Sequence, residues 1–152
     1  MVKHAPNVFE YSYITDGIFI GTNLCCQTHF DRGLLEKGIT ADVSLEDERL
    51  DAPFGVDYYL WLPTPNHFAP SQKQLDLGVE FLQDLVERKV KVYVHCERGH
   101  GRAPSLVAAY LVSKGLTVAQ AVDFIKTRRG VVHPNKKQQA AIEKFRKRLK
   151  KR

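Results

Sequence analysis

Residues 90–113 read VKVYVHCERGHGRAPSLVAAYLVS, and this stretch decides the fold. The β-branched run 90–94 predicts a short buried strand. Residues 104–113 are apolar on nearly every face, which predicts a buried helix. Pro104 suits the first turn of that helix, where its missing N–H costs nothing. The strand therefore passes into the helix through one short loop.

This loop has the composition of an anion-binding loop. Backbone N–H groups in a strand-to-helix loop can converge on one point, and the positive end of the helix dipole adds to the field there. Gly99 and Gly101 permit positive φ angles and close backbone approach. The residues expected to surround a bound phosphate are Glu97, Arg98, Gly99, His100 and Gly101.

Two residues at the ends of the loop have the chemistry of a reacting pair. The field that holds a dianion should also favour the thiolate of Cys96, which makes it a nucleophile at neutral pH. Arg102, six positions on, can return across the loop and offer a planar fork to two phosphate oxygens. His95 is expected to order the loop by hydrogen bonding rather than to act as a base.

Strands and helices alternate on both sides of this stretch. The predicted strands are 11–14, 17–21, 39–45 and 58–62, and the predicted helices are 28–37, 71–87, one from Thr117 and one from Asn135. Asp16-Gly17 favours a tight hairpin turn, and Ser71 and Thr117 each open a capping box. We expect a single α/β domain over 1–152 with a central, mostly parallel sheet flanked by helices.

Composition excludes several classes of protein. The chain has 152 residues, 43% hydrophobic and 26% charged, so collagen-like, coiled-coil and wholly disordered structures are excluded. No apolar run approaches the ~18 residues of a membrane span. The segment 1–6 lacks the apolar core of a secretion signal, so we expect a cytoplasmic protein. Cys25 and Cys26 are expected to be buried, unpaired thiols in a reducing compartment.

The pattern H-C-x5-R between a strand and a helix resembles the signature of the cysteine-dependent protein tyrosine phosphatases. The segments 18–21 (IFIG), 38–45 (GITADVSL) and 63–71 (PTPNHFAPS) extend the resemblance to their compact dual-specificity branch, over roughly residues 11–145. This resemblance implies a phosphocysteine intermediate on Cys96, with Arg102 as the phosphate clamp. It also implies that neither a metal nor another cofactor takes part.

The sequence departs from this family at two positions. Family members carry an acidic residue about 30 positions before the cysteine to protonate the leaving oxygen, and here Asn66 stands there. His67 is the candidate substitute acid, with lining of the pocket rim as its alternative. Asp47, Glu48, Asp51 and Asp57, in and after the acidic loop 46–51, are alternative acids that could swing in, but solvated surface charge is the interpretation we favour for them. Ala103 replaces the hydroxyl that helps the sulfur leave, and Ser105 is two positions off and does not take over that role.

Three functions follow from these features. The first is hydrolysis of phosphomonoesters, strongest on aryl phosphates such as phosphotyrosine, because an aryl oxygen departs without a proton more readily than an alkyl oxygen. The second is hydrolysis of phosphoinositides, inositol phosphates or phospholipids, favoured by Arg98 and His100. Further cations that would serve such a substrate are Arg128, Arg129 and His133. The third is a phosphate-binding module with little turnover. The expected partner is accordingly a phosphorylated protein or a small phosphoester.

The positive charge of the chain is concentrated in its last segment. Nine Lys or Arg against Glu143 place +8 on residues 134–152, so the other 133 residues sum to −2 within the net charge of +6. Attraction to an anionic surface is one interpretation of this basic helix, and solvated surface charge is the one we favour. Nucleic acid is not an expected partner, because no exposed aromatic residues alternate with the cations.

Overall fold

The computed structural model of the protein describes residues 7–151. The segment 1–6, inspected above for a secretion signal, and Arg152 of the basic tail lie outside the described residues. The one-domain assignment over 1–152 stays a prediction for those parts.

In the described part of the chain, five strands form one mixed sheet. They are β1 (Tyr11–Thr15), β2 (Ile18–Gly21), β3 (Ile39–Glu46), β4 (Tyr58–Thr64) and β5 (Lys91–His95). Their order is β1-β2-β5-β3-β4, with β1 antiparallel to β2 and the other neighbours parallel. This confirms the mostly parallel sheet. Because β5 lies in the middle, the loop that follows it opens at the centre of the carboxyl edge.

The hairpin between β1 and β2 closes as predicted. Asp16 and Gly17 both have positive φ, at 55° and 85°. Two successive left-handed residues match the twist of the flanking strands, which explains why an Asp-Gly pair occupies this turn.

Within residues 7–151, five helices accompany the sheet, together with a 3-10 turn at Asn23–Cys25. They are α1 (Arg32–Glu36), α2 (Gln72–Glu87), α3 (Arg102–Ser113), α4 (Val118–Arg128) and α5 (Lys136–Lys150). The capping boxes at Ser71 and Thr117 are both formed, and Asn135 with Gln138 makes a third. None of the helices within 7–151 is long and apolar enough to cross a membrane.

The first helix is much shorter than the predicted 28–37. It begins only after Asp31, whose side chain accepts a hydrogen bond from the backbone N of Leu34 at 3.0 Å. Asp is a preferred N-cap residue because its side chain satisfies an N–H of the first turn, which favours a helix start at the next residue. The end at Gly38, with φ of 81°, is as predicted.

The core lies on both faces of the sheet. Along β5, Val92 and Val94 pack with α2 to α5, whereas Tyr93 points to the other face with Phe30 and Leu34 near α1. This alternation is the two-residue period of a strand. Helix α3 is buried along nearly its whole length, which confirms the prediction from its apolar sequence.

Cys25 and Cys26 are buried, as expected, on the face of the sheet that Tyr93 and Phe30 also cover. They are joined to each other by a disulfide, so the expectation of two unpaired thiols was wrong. The end of the 3-10 turn brings the two neighbouring sulfurs together inside the protein.

The basic last helix docks through its apolar stripe. Ile142 and Phe145 are buried, and Leu149 is partly buried against the main core. Arg148 pairs with Asp76 at 2.7 Å across the groove to α2. Part of the positive charge of this helix is therefore used in holding it to the domain.

Candidate active site

The loop 96–101 leaves the centre of the sheet and ends at the N-terminus of α3. His95 is the last residue of β5, and Gly101 caps the helix that Arg102 begins. Cys96, directly after the strand, is an unpaired cysteine with 3% of its surface exposed. The free amides of the first helical turn therefore lie at the end of the same loop, where they favour negative charge.

The two loop glycines serve different purposes. Gly99 has φ of 72°, and a Cβ on it would meet the backbone oxygen of Gly21 at 2.9 Å. Gly101 has φ of −133°, so the expected positive φ is wrong there. A Cβ on Gly101 would instead come within 2.8 Å of the side chain of Gln138, so close packing against α5 explains this glycine.

The guanidinium of Arg102 is held from one side. Its Nη1 donates to Glu48 Oε1 at 2.8 Å and to the backbone oxygen of Thr64 at 2.9 Å. Within residues 7–151, Nε and Nη2 have no hydrogen-bond partner, and these two nitrogens form the fork that suits a phosphate. Partial burial raises the pKa of the Glu48 carboxyl, against the opposing pull of Arg102.

The interpretation of loop 46–51 as solvated surface charge is therefore wrong for several of its members. Glu48 reaches Arg102, and the side chains of Glu46 and Asp51 are fully buried. Asp47 is exposed as expected. Composition alone could not separate these acids, since their partners lie on other elements of the fold.

Arg129 supports the loop from outside. Its Nε donates to the backbone oxygen of Gly99 at 3.0 Å, and Nη2 donates to that of Arg98 at 2.8 Å. Its fork also pairs with Glu10 at 2.6 and 2.8 Å. The prediction that Arg129 contacts a second anion was wrong, because its side chain is 1% exposed and its donors are already used.

The other four cations predicted to serve a phosphoinositide are Arg98, His100, Arg128 and His133. Arg128 covers the ring of Phe124 at 3.6 Å on α4. The rings of His100 and His133 are 5.1 Å apart. Burial, and next the neighbouring His133, lower the pKa of His100. Arg98 is partly buried and makes no side-chain ion pair within 7–151, so it stays available to a ligand.

Asn66 and His67 lie in an exposed loop that is attached to α5. Asn135 Nδ2 donates to the backbone oxygen of His67 at 2.8 Å. The side chain of Asn66 accepts from the backbone N of His67 at 3.1 Å, and His67 has φ of 69°. No hydrogen bond within 7–151 joins either side chain to Cys96 or Arg102. The general-acid role of His67 stays a prediction.

The residues after Arg102 supply no free hydroxyl to the sulfur. Ala103 is fully buried. The hydroxyl of Ser105 donates to the backbone oxygen of Gly101 at 2.6 Å, so it is used in the first turn of the helix.

His95 lies behind the loop in a buried polar cluster. Its Nε2 is 3.1 Å from Asp42 Oδ1 and 3.2 Å from Asp51 Oδ2, and its Nδ1 is 3.5 Å from Glu46 Oε1. Burial alone would lower the pKa of His95, but Asp42 and the other carboxylates outweigh it and raise the pKa well above its ordinary value. The imidazole therefore has charged partners on both ring nitrogens.

Comparison with known families fits this arrangement of cysteine, loop and arginine. The profile described as "Dual specificity phosphatase, catalytic domain" matches residues 24–148. The chain belongs to the dual specificity phosphatase family. The match covers the loop, its supporting Arg129 and most of α5.

Individual relatives of this chain match over part of their length. Dual specificity protein phosphatase 5 of Homo sapiens is 36% identical over 80 residues, covering 51% of this chain and 21% of that protein. Phosphatidylglycerophosphate phosphatase PTPMT2 of Arabidopsis thaliana is 34% identical over 89 residues, covering 57% of this chain and 39% of that protein. The chain thus spans well under half of these relatives.

Solved structures share the fold along nearly the whole chain. Human DUSP28 superposes with a TM-score of 0.82 at 19% identity, covering 92% of this chain and 98% of that one. PTPMT1 gives a TM-score of 0.79 at 23% identity, covering 93% and 97%. At these identities the superpositions confirm the predicted α/β architecture and nothing about substrates.

Proposed function

We propose that the protein hydrolyses phosphomonoesters through a phosphocysteine intermediate. The observation that carries this proposal is the buried Cys96 on an amide-rich loop, followed directly by Arg102, which keeps Nε and Nη2 free. The sulfur attacks phosphorus and the bond to the ester oxygen breaks. Water then attacks the same phosphorus, the S–P bond breaks, and inorganic phosphate leaves. Arg102 balances the charge on the equatorial oxygens in both steps.

The favoured substrates are aryl phosphates such as phosphotyrosine. Asn66 stands where a proton donor would be expected, and an amide does not protonate a leaving oxygen. A phenolate leaves without a proton far more readily than an alkoxide, so the missing acid penalises alkyl esters most. Ala103 has no hydroxyl to help the sulfur leave, which slows the second step for all substrates alike.

A second candidate is hydrolysis of a phosphoinositide or another phospholipid. The unpaired side chain of Arg98 in the loop favours it, because an additional phosphate would find a cation there. A relative named as a phosphatidylglycerophosphate phosphatase and a structural neighbour solved in complex with PI(5)P show that such ligands occur among similar folds. The cytoplasmic location and attraction of α5 to anionic surfaces stay predictions.

Turnover of p-nitrophenyl phosphate by the wild type and by Cys96→Ser tests the first proposal. We expect activity in the wild type and none above background in Cys96→Ser. Rapid acid quench should trap a phosphorylated cysteine in the wild type. Wild-type activity no greater than that of the variant would support a phosphate-binding module instead. A panel of phosphotyrosine peptide, phosphoserine peptide and phosphoinositide vesicles then separates the substrate classes.

Asn66→Asp tests the origin of the aryl preference. Restoring a proton donor should accelerate hydrolysis of an alkyl phosphate by at least about tenfold and that of an aryl phosphate much less. An equal effect on both substrates, or none on either, would remove residue 66 from the position of the acid.

A further inference from the structure

The buried cluster behind the loop contains more acid than its neighbours neutralise. On β3 the alternation of the strand places Asp42 and Glu46 on the same face, opposite the apolar positions. Asp51 joins them from the segment that follows. The side chains of all three, and that of His95, are 0% exposed. Within residues 7–151, the partly exposed Arg49 also pairs with Asp51, at 3.4 Å.

Several polar atoms of this cluster have no hydrogen-bond partner among residues 7–151. These buried atoms are Asp42 Oδ1, Glu46 Oε1, both carboxylate oxygens of Asp51 and Nδ1 of His95. Asp42 and Glu46 are each hydrogen-bonded through their other oxygen, to His95 Nε2 at 3.4 Å and to Asn23 Nδ2 at 3.0 Å. Buried polar atoms without a hydrogen bond are unfavourable all the same, so several of them are rarely left together. Their concentration in one place indicates that a ligand of positive charge belongs among them.

The spacing is compatible with a metal ion. One ligand atom each of Glu46, Asp51 and His95 lies within 4.8 Å of the others. His95 Nε2 and Asp51 Oδ2 are 3.2 Å apart, near the ~3.3 Å that two ligands at about 2.0–2.1 Å from a tetrahedral ion show, and Glu46 Oε1 is 3.5 Å from the other ring nitrogen, Nδ1. One imidazole nitrogen with two carboxylate oxygens is a donor set that zinc accepts.

The sulfurs on the other side of His95 are a poorer choice. Cys26 Sγ is 3.5 Å from His95 Nε2, but the disulfide with Cys25 removes it as a thiolate ligand. Binding by the carboxylates, in contrast, does not require reduction of the disulfide.

We propose that Glu46, Asp51 and His95 bind one divalent cation of the zinc class. The site lies apart from the proposed chemistry and goes beyond it. His95 directly precedes Cys96, and Glu48, which holds Arg102, lies between the two acidic ligands. The cation therefore ties the strand that carries the nucleophile to the segment that positions the clamp.

The test uses Cys96→Ser as host, so that the catalytic sulfur cannot bind the probe. The protein is refolded with ZnCl₂ alone, dialysed, and its metal content is measured. We expect one equivalent of zinc and, at 100 times the dissociation constant, a rise of about 5–10 °C in the unfolding midpoint. MgCl₂ should give neither effect, because magnesium prefers oxygen ligands and water.

Further variants in the same host locate the ion. Asp51→Asn and Glu46→Gln should each weaken zinc binding at least tenfold, whereas Asp47→Asn, an exposed acid of the same segment, should not change it. Binding of less than one equivalent by the host, or equal binding by Asp51→Asn, overturns the proposal.

A spectroscopic measurement covers the case in which a ligand variant does not fold. Cobalt(II) bound to the host should absorb in the visible region without a thiolate-to-cobalt charge-transfer band. That band, or loss of binding in Cys26→Ser, would move the ion to the sulfur side and refute the assignment.

Discussion

Replacement of Arg129 by Met should loosen the phosphate loop without touching the reacting atoms. Met fills a similar volume but donates no hydrogen bonds. The backbone oxygen of Gly99 is buried and loses its donor, and that of Arg98 is partly buried and loses one too. Unsatisfied buried acceptors cost about 1–3 kcal/mol each. The partner carboxylate of Glu10 is 46% exposed and can be hydrated, so its loss adds less than about 1 kcal/mol.

The expected total is about 3 kcal/mol of unfolding free energy, which is within what a domain of this size can lose and stay folded. In urea this lowers the midpoint by roughly 1–2 M. Because the loop amides no longer converge as well, kcat/KM for p-nitrophenyl phosphate should fall about 10- to 100-fold, a loss of ~1.4–2.8 kcal/mol in transition-state binding.

Glu10→Gln is the matched control, since it weakens the ion pair and leaves both bonds to the loop. It should cost less than about 1 kcal/mol and keep kcat/KM within about threefold. A loss below about 1 kcal/mol with unchanged kinetics in Arg129→Met would refute the supporting role of this arginine. Equal kinetic losses in the two variants would show that charge, and not the bonds to the loop, is what matters.

Three further changes probe other contacts. Glu48→Ala removes the acceptor that orients Nη1 of Arg102 and should raise the inhibition constant of inorganic phosphate about fivefold, whereas Glu48→Gln keeps an acceptor and should change it less. Gly99→Ala forces a side chain onto a φ of 72° and against a backbone oxygen, and should cost about 2 kcal/mol or more together with most activity. Tyr110→Phe removes a 2.7 Å hydrogen bond that lowers the pKa of Asp16 from its ordinary 3.8. A lowered acid pKa stabilises the fold at pH values above the unfolded pKa, and this stabilisation is lost as the pH falls through the folded pKa, so the variant should cost about 1 kcal/mol at pH 7 and progressively less as the pH falls below 3.8.

A specific result would contradict each of these three predictions. Equal inhibition constants for the two Glu48 variants would mean that the clamp orients itself without that acid. Wild-type stability in Gly99→Ala would contradict the close approach at the loop. If Tyr110→Phe lowers the unfolding free energy by the same amount at acidic pH as at pH 7, the loss comes from packing and not from the hydrogen bond.

The strand, loop and helix around Cys96 could be predicted from the sequence because local rules govern them. The β-branched run, the apolar helix and the capping boxes depend on neighbours within a few residues, and the Asp-Gly turn depends on two. The same holds for the spacing of Cys96 and Arg102, since one short loop sets their separation. The predicted start of α1 was wrong because the helix begins after its N-cap, Asp31, and not where the apolar pattern begins.

Only the tertiary structure decided what surrounds that loop. Glu48 reaches Arg102 across 54 positions, and Arg129 reaches Gly99 across 30. Glu46, Asp47 and Asp51 look alike in the sequence, yet two are buried beside His95 and one is exposed. A charged side chain takes its role from the groups that packing brings to it, and those groups come from elements far apart along the chain.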